Sequence, residues 1–100
     1  HMAQRVDVID GKPVFYSLGN FVFGTPGRYS DEFPGWGLML RTYLGPDGFD
    51  GFELTCILTD NKKIKFQPRP CPADAAKGFF AQLGEGKNLE YRDGKAVVTW

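Results

Sequence analysis

Residue types that can do chemistry are few in this chain of 100 residues. The sequence has one histidine, His1, and two cysteines, Cys56 and Cys71. Phosphoester hydrolysis by a metal pair needs several His, Asp and Asn ligands, which hold two cations and activate a water molecule. One terminal histidine cannot supply that set. We therefore expect no catalytic residue in this chain.

The acidic residues and the cysteines also favour structural roles. Four aspartates have the spacing of turn formers, namely Asp47, Asp50, Asp60 and Asp93. The pair Asp31-Glu32 falls in a polar segment, where solvated charge is more common than a general acid–base pair. Cys56 alternates with apolar residues, which predicts a buried free thiol. Its alternative is a disulfide with Cys71, which lies between two prolines in a predicted loop.

Composition excludes some partners. Twelve basic and twelve acidic residues give a formal net charge of +0, so no overall field attracts nucleic acid. No apolar run reaches the roughly 20 residues that span a bilayer. We expect neither a nucleic-acid partner nor a membrane segment in this chain.

The strands and turns that would position a site are predicted from the alternation of apolar and polar residues and from turn-forming residues. Arg5 to Asp10 alternates, and Asp10-Gly11 predicts a type I′ turn into a strand over 13–17. This strand enters a Ser-Leu-Gly-Asn turn at 17–20, which leads into a second apolar run, Phe21 to Phe23. Residues 24–35 then read as a long polar loop.

The second half of the chain predicts a meander, a helix and a closing hairpin. Three strands are expected, over Trp36–Leu44, with Leu44 on the buried face, over Phe52–Thr59 and over a short segment containing Ile64 and Phe66. Apolar residues at helical spacing predict a helix over 72–83 that ends at Gly84. Residues 89–91 and 96–100, joined by Asp93-Gly94, predict the last hairpin. The expected fold is α+β: one domain over 1–100, mostly antiparallel β-sheet with one helix.

The string Gly11-Lys-Pro-Val-Phe-Tyr-Ser-Leu-Gly-Asn-Phe-Val-Phe23 closely resembles one family. This family is that of the CapA-like capsule (poly-γ-glutamate) synthesis proteins of bacteria, which are related to the calcineurin-like metallophosphoesterases. The strand Gly37-Leu-Met-Leu-Arg41, the Pro68-Arg-Pro70 stretch and the order of the last elements are similar as well. The resemblance implies that the chain is a C-terminal portion of a two-sheet metallophosphoesterase-like sandwich.

The same resemblance implies where chemistry would lie. The longer protein is expected to bind a divalent metal pair through ligands upstream, so this portion is non-catalytic in isolation and has no cofactor of its own. Ser17, Gly19 and Asn20 become near-site candidates, and the 24–35 loop could form one rim of the cleft. Asn20 could offer its amide to a phosphate or carboxylate oxygen, or cap its own turn.

His1 has two interpretations. His1-Met2 is a common remnant of an expression tag, and we favour this interpretation, with the native sequence starting near Ala3. Alternatively, His1 aligns with the last histidine of the family's Gly-x-His-Pro-His-like ligand motif. His1 is a metal ligand only in that second case.

The partners expected are the remainder of the longer chain and an anionic polymer or phosphate-containing substrate. A dimer is also expected, through an apolar face containing Met39 and Tyr43 or through the segment with Phe15, Phe21 and Phe23. The resemblance implies that the longer protein is membrane-associated and works at the bacterial cell envelope. The alternative function is a stand-alone module that binds a polymer or a protein.

Overall fold

Seven strands and two helices form the part of the chain, residues 1–22, 35–84 and 88–100, that the computed structural model describes. In order they are β1 (Val6–Ile9), β2 (Lys12–Phe15), β3 (Trp36–Gly45), β4 (Gly48–Leu58), α1 (Asn61–Ile64), β5 (Arg69–Pro70), α2 (Ala73–Gly84), β6 (Leu89–Arg92) and β7 (Lys95–Val98). Every strand pairing is antiparallel. The predicted α+β class, mostly antiparallel sheet with one main helix, is confirmed.

The β1–β2 hairpin forms as predicted. Asp10 and Gly11 both adopt positive φ, 49° and 72°, as a type I′ turn requires, and Ile9 pairs with Lys12. Pro13 lies opposite Val8 in this two-stranded sheet, at a position that faces an open edge. The lack of an N–H in proline therefore removes no hydrogen bond between the strands. The hairpin directs the chain into residues 16–20.

The main sheet has the order β3-β4-β7-β6, and β5 also pairs with β4. Strands β3 and β4 are paired along their length, from Trp36 opposite Leu58 to Gly45 opposite Gly48. The register shifts between Tyr43 and Leu44, and Leu44 is 72% exposed. The prediction that Leu44 shares the buried face is therefore wrong, because the shift breaks the alternation one residue before it.

The segment with Ile64 and Phe66 is not a strand, so that prediction is also wrong. Asp60 caps helix α1, its carboxylate accepting a hydrogen bond from the Lys62 N–H at 3.0 Å. Lys65 ends the helix in the left-handed conformation, with φ 51°, and Phe66 follows at φ 62°. The residues read as a turn before a strand are instead a helix cap.

The hydrophobic core lies between one face of the main sheet and α2. Helix α2 confirms the prediction for 72–83, and its residues Ala76, Phe80 and Leu83 are buried. Leu54 of β4 is fully buried, and the alternating Phe52 and Cys56 accompany it. The other buried members of this cluster are Ala3, Val6, Leu38, Cys71, Ala96 and Val98. The β6–β7 hairpin turns at Asp93-Gly94 as predicted.

Cys56 and Cys71 form a disulfide, with Cα atoms 5.4 Å apart. The predicted free thiol at Cys56 is therefore wrong, although its burial is confirmed. The pairing follows from β5, which brings Cys71 alongside β4 so that the Cys71 N–H donates to the Cys56 carbonyl at 2.9 Å.

Some predictions fall on residues outside the described ranges. They are the predictions for Phe23, for the acidic pair Asp31-Glu32 and for the long loop up to residue 34. Within the described ranges, no helix is both long and apolar enough to cross a membrane.

Candidate functional site

Ser17 begins the turn that was singled out in the sequence, two residues after the end of β2 at Phe15. Its hydroxyl donates to the Met2 carbonyl at 2.9 Å and accepts from the Gly19 N–H at 3.2 Å. The Ser17 carbonyl accepts from the Gln4 N–H at 3.0 Å. One serine thus closes its own turn and joins it to the N-terminal segment.

Gly19 lets that turn approach the N-terminal segment closely. Its φ is 75°, and a Cβ atom at this position would lie 2.9 Å from the Ala3 backbone nitrogen. The neighbouring Leu18 forms an isolated antiparallel bridge with Ala3. Residue 19 therefore needs both the conformational freedom and the small size of glycine.

Asn20 reaches back to the first residue. Its Oδ1 lies 3.2 Å from Nδ1 of His1. Because an amide oxygen accepts, this hydrogen bond places a proton on Nδ1, and in a neutral ring Nε2 then carries the lone pair. The turn cap is the Ser17 hydroxyl, whereas the Asn20 side chain contacts His1. The structure thus brings together all four residues predicted from the sequence.

Strand β3 holds the opposite side of the turn. The Leu38 N–H donates to the Leu18 carbonyl at 2.7 Å, and a Cβ on Gly37 would collide with the Asn20 carbonyl oxygen. Sequence reasoning did not assign Gly37 to the site. A glycine inside an otherwise alternating strand was the available signal, because it often marks close approach of another backbone.

The donor set does not make a metal centre by itself. Among residues 1–22, 35–84 and 88–100, no group of three or more His, Cys, Asp or Glu side chains could hold a metal ion. His1 with the neighbouring Asn20 is at most a partial ligand set. A metal pair at this place would need ligands from residues beyond those described.

A groove of about 450 Å³ flanks the N-terminal side of the site, with Met2, Tyr16 and Gln82 in its walls. Arg5, which also lines it, donates from Nε to Asp7 Oδ2 at 2.8 Å and stacks over Tyr16, with Cζ 5.0 Å from the ring centroid. The Asp7 hydrogen bond, followed by that of Tyr16, raises the pKa of Arg5. This wall therefore carries a permanent positive charge that Asp7 partly offsets.

Comparison of the chain with protein-family models, with curated proteins and with solved structures found no match.

Proposed function

We propose that this chain is the C-terminal part of a CapA-like capsule synthesis protein related to the metal-dependent phosphoesterases. In that protein it is a structural and substrate-shaping portion without catalytic residues of its own. The support is the Gly11–Phe23 string together with the anchored Ser17–Asn20 turn.

The anchoring of the turn is the observation that carries this proposal. The turn is hydrogen-bonded to the N-terminal segment on one side and to β3 on the other, and Asn20 is thereby fixed next to His1. Groups that bind a substrate oxygen lose less conformational entropy on binding when the fold positions them in advance. An asparagine amide carries two N–H donors, which suit a phosphate or carboxylate oxygen.

The longer protein would supply the divalent metal pair and most of its ligands. Its substrate would be an anionic polymer or a phosphate-containing compound, handled at the bacterial cell envelope. If His1 is native, it would add one imidazole ligand to that pair; if it is a tag remnant, this chain contributes none.

The test compares phosphodiesterase and phosphatase activity, with added manganese, for the 100-residue chain and for the longer protein. We expect activity in the longer protein and none in the chain alone. In the longer protein, Asn20→Ala should raise KM about 10-fold and leave kcat little changed, through the loss of a hydrogen bond to a charged substrate oxygen. Lys12→Ala, at the exposed end of the β1–β2 hairpin, is the control and should leave activity unchanged. Turnover by the chain alone would overturn the proposal.

A specific observation favours the alternative, a stand-alone binding module. Phe49 and Trp100 are 61% and 49% exposed, and both pack against Phe52, with ring centroids 5.3 and 5.1 Å away. Exposed aromatic groups of this kind suit recognition of a polymer or a protein. In that case a polymer such as poly-γ-glutamate should bind the isolated chain, and Phe49→Ala should weaken binding while Asn20→Ala does not.

A further inference from the structure

The Cys56–Cys71 disulfide joins three elements at one point. Cys56 lies within β4, which pairs with β3, β5 and β7. Cys71 directly follows β5 and precedes Pro72, whose carbonyl accepts the Ala76 N–H of α2 at 2.9 Å. The bond therefore fixes the start of α2 to the most extensively paired strand of the sheet.

Backbone pairing alone holds this junction weakly. Strand β5 has two residues, and one of them, Pro70, has no N–H to donate. It pairs with Ile57 and Leu58, and the Cys71 N–H adds one further hydrogen bond. The covalent bond thus adds a constraint on Cys71 and the first turn of α2 that these few backbone hydrogen bonds do not supply.

Both cysteines are buried in the core cluster, at 1% exposure for Cys56 and 9% for Cys71. Thiol–disulfide exchange requires an attacking thiolate to reach a sulfur atom, so the folded chain shields this bond from reductants. Labile and regulatory disulfides are typically strained or exposed to solvent. The burial argues against a redox switch.

We infer that this disulfide is a structural bond that the chain acquires in an oxidising compartment, outside the reducing cytosol, from a thiol–disulfide oxidant. One cysteine thiolate attacks the oxidant's disulfide, forms a mixed disulfide and releases one oxidant thiolate. The second cysteine thiolate then attacks the cysteine sulfur of the mixed disulfide and releases the other. The two cysteines lose two electrons and two protons, and the oxidant is reduced to a dithiol. The inference does not depend on the proposed function.

In the first experiment the 100-residue chain is exported to a bacterial periplasm. It is then unfolded in denaturant that contains N-ethylmaleimide, which alkylates free thiols, and its mass is determined. We expect no maleimide adduct before reduction and two adducts after it. In native buffer, dithiothreitol should expose the thiols roughly 100-fold more slowly than in denaturant, because the core must open first. Two adducts without reduction, or an intermolecular disulfide, would overturn the inference.

The second experiment compares the melting temperatures of the oxidised and the reduced chain, which have the same amino-acid sequence. The reduced chain should melt roughly 10–20 °C lower, as expected for a bond that closes a loop of this length in a small domain. The double variant Cys56→Ala/Cys71→Ala, which no reductant affects, should melt no higher than the reduced chain. Equal melting of the oxidised and reduced forms would contradict a structural role.

Discussion

At the scale of single residues, the position of Asn20 depends on residue 19 being a glycine, which has no side chain. Gly19 combines a positive φ with an approach to the Ala3 backbone that leaves no space for a Cβ atom. Gly37 has the same function on the β3 side, next to the Asn20 carbonyl. Two glycines thus allow three segments of backbone to meet at the candidate site.

Replacing Gly19 by Ala should lower the free energy of unfolding by about 3 kcal/mol, through left-handed strain and overlap with Ala3. Chemical denaturation measures this loss. Gly11→Ala is the matched control, because Gly11 also has a positive φ, 72°, but open space around its Cβ position. It should cost about 1 kcal/mol. Equal losses in the two variants would show that the contact with Ala3 has no energetic role.

At this scale, the sequence predicts correctly those features that depend only on neighbouring residues, such as turns. Asp10, Gly11 and Asp93 were predicted as turn residues, and all three adopt the positive φ values that such turns need. Leu44 and Cys56 were not predicted correctly, because a register shift and a disulfide depend on where distant residues lie. The clustering of Ser17, Gly19 and Asn20 followed from their order in one turn. The hydrogen bond from His1 to Asn20 could not be derived from the sequence.

At the scale of elements, α2 carries an exposed glycine in its interior. A Cβ atom at Gly78 would meet no neighbour within 4 Å. Gly78→Ala should therefore raise the free energy of unfolding by about 0.5–1 kcal/mol, because alanine loses less backbone entropy in a helix. Thermal unfolding should show a melting temperature a few degrees higher, by roughly 4 °C.

Gly84→Ala, at the end of the same helix, is the control. Its Cβ would lie 2.9 Å from both Cδ1 and Cγ of Leu89 and 3.0 Å from the Leu89 Cβ. The β6 side chain would have to move as a whole, so this variant should be less stable than the original chain. A gain at position 84 equal to that at 78 would contradict the close packing of Leu89 against Gly84.

The elements differ in how far their own sequence determines them. The hairpins and α2 have signals within a few residues, and these predictions are confirmed. Asp60-Asn61 is compatible with a turn or with a helix N-terminus, and the chain takes the second option. The pairings of β5 and β7 with β4 join residues far apart in the sequence, so no local pattern could predict them.

At the scale of the whole molecule, the second face of the main sheet carries exposed apolar groups. Met39 and Tyr43 are 37% and 45% exposed on the face that alternates with the buried one. An ion network lies nearby, in which Glu53 Oε1 is 3.1 Å from Lys95 Nζ and 3.4 Å from Arg41 Nη1. Of the other predicted segment, Phe21 is exposed, whereas Phe15 packs against Phe52 with ring centroids 5.6 Å apart.

We expect the chain to self-associate at micromolar concentration through the face with Met39 and Tyr43. Met39→Lys should shift a concentration series in sedimentation velocity towards the monomer, because a buried lysine in the interface is costly. Ile9→Lys, an equivalent change at a 50% exposed residue of β1, is the control and should leave association unchanged. A wild-type chain that stays monomeric throughout the series would refute this prediction.

The central place of β4 also has a consequence for synthesis of the chain. Its hairpin with β3 has a two-residue connection, Pro46-Asp47, and can close within microseconds of leaving the ribosome. The partner on the other edge, β7, is translated much later, after α2 and β6. During this interval the edge of β4 around Glu53 to Thr55 has no strand to pair with. The nascent chain therefore passes through a stage in which an unpaired strand edge is available to chaperones or to aggregation.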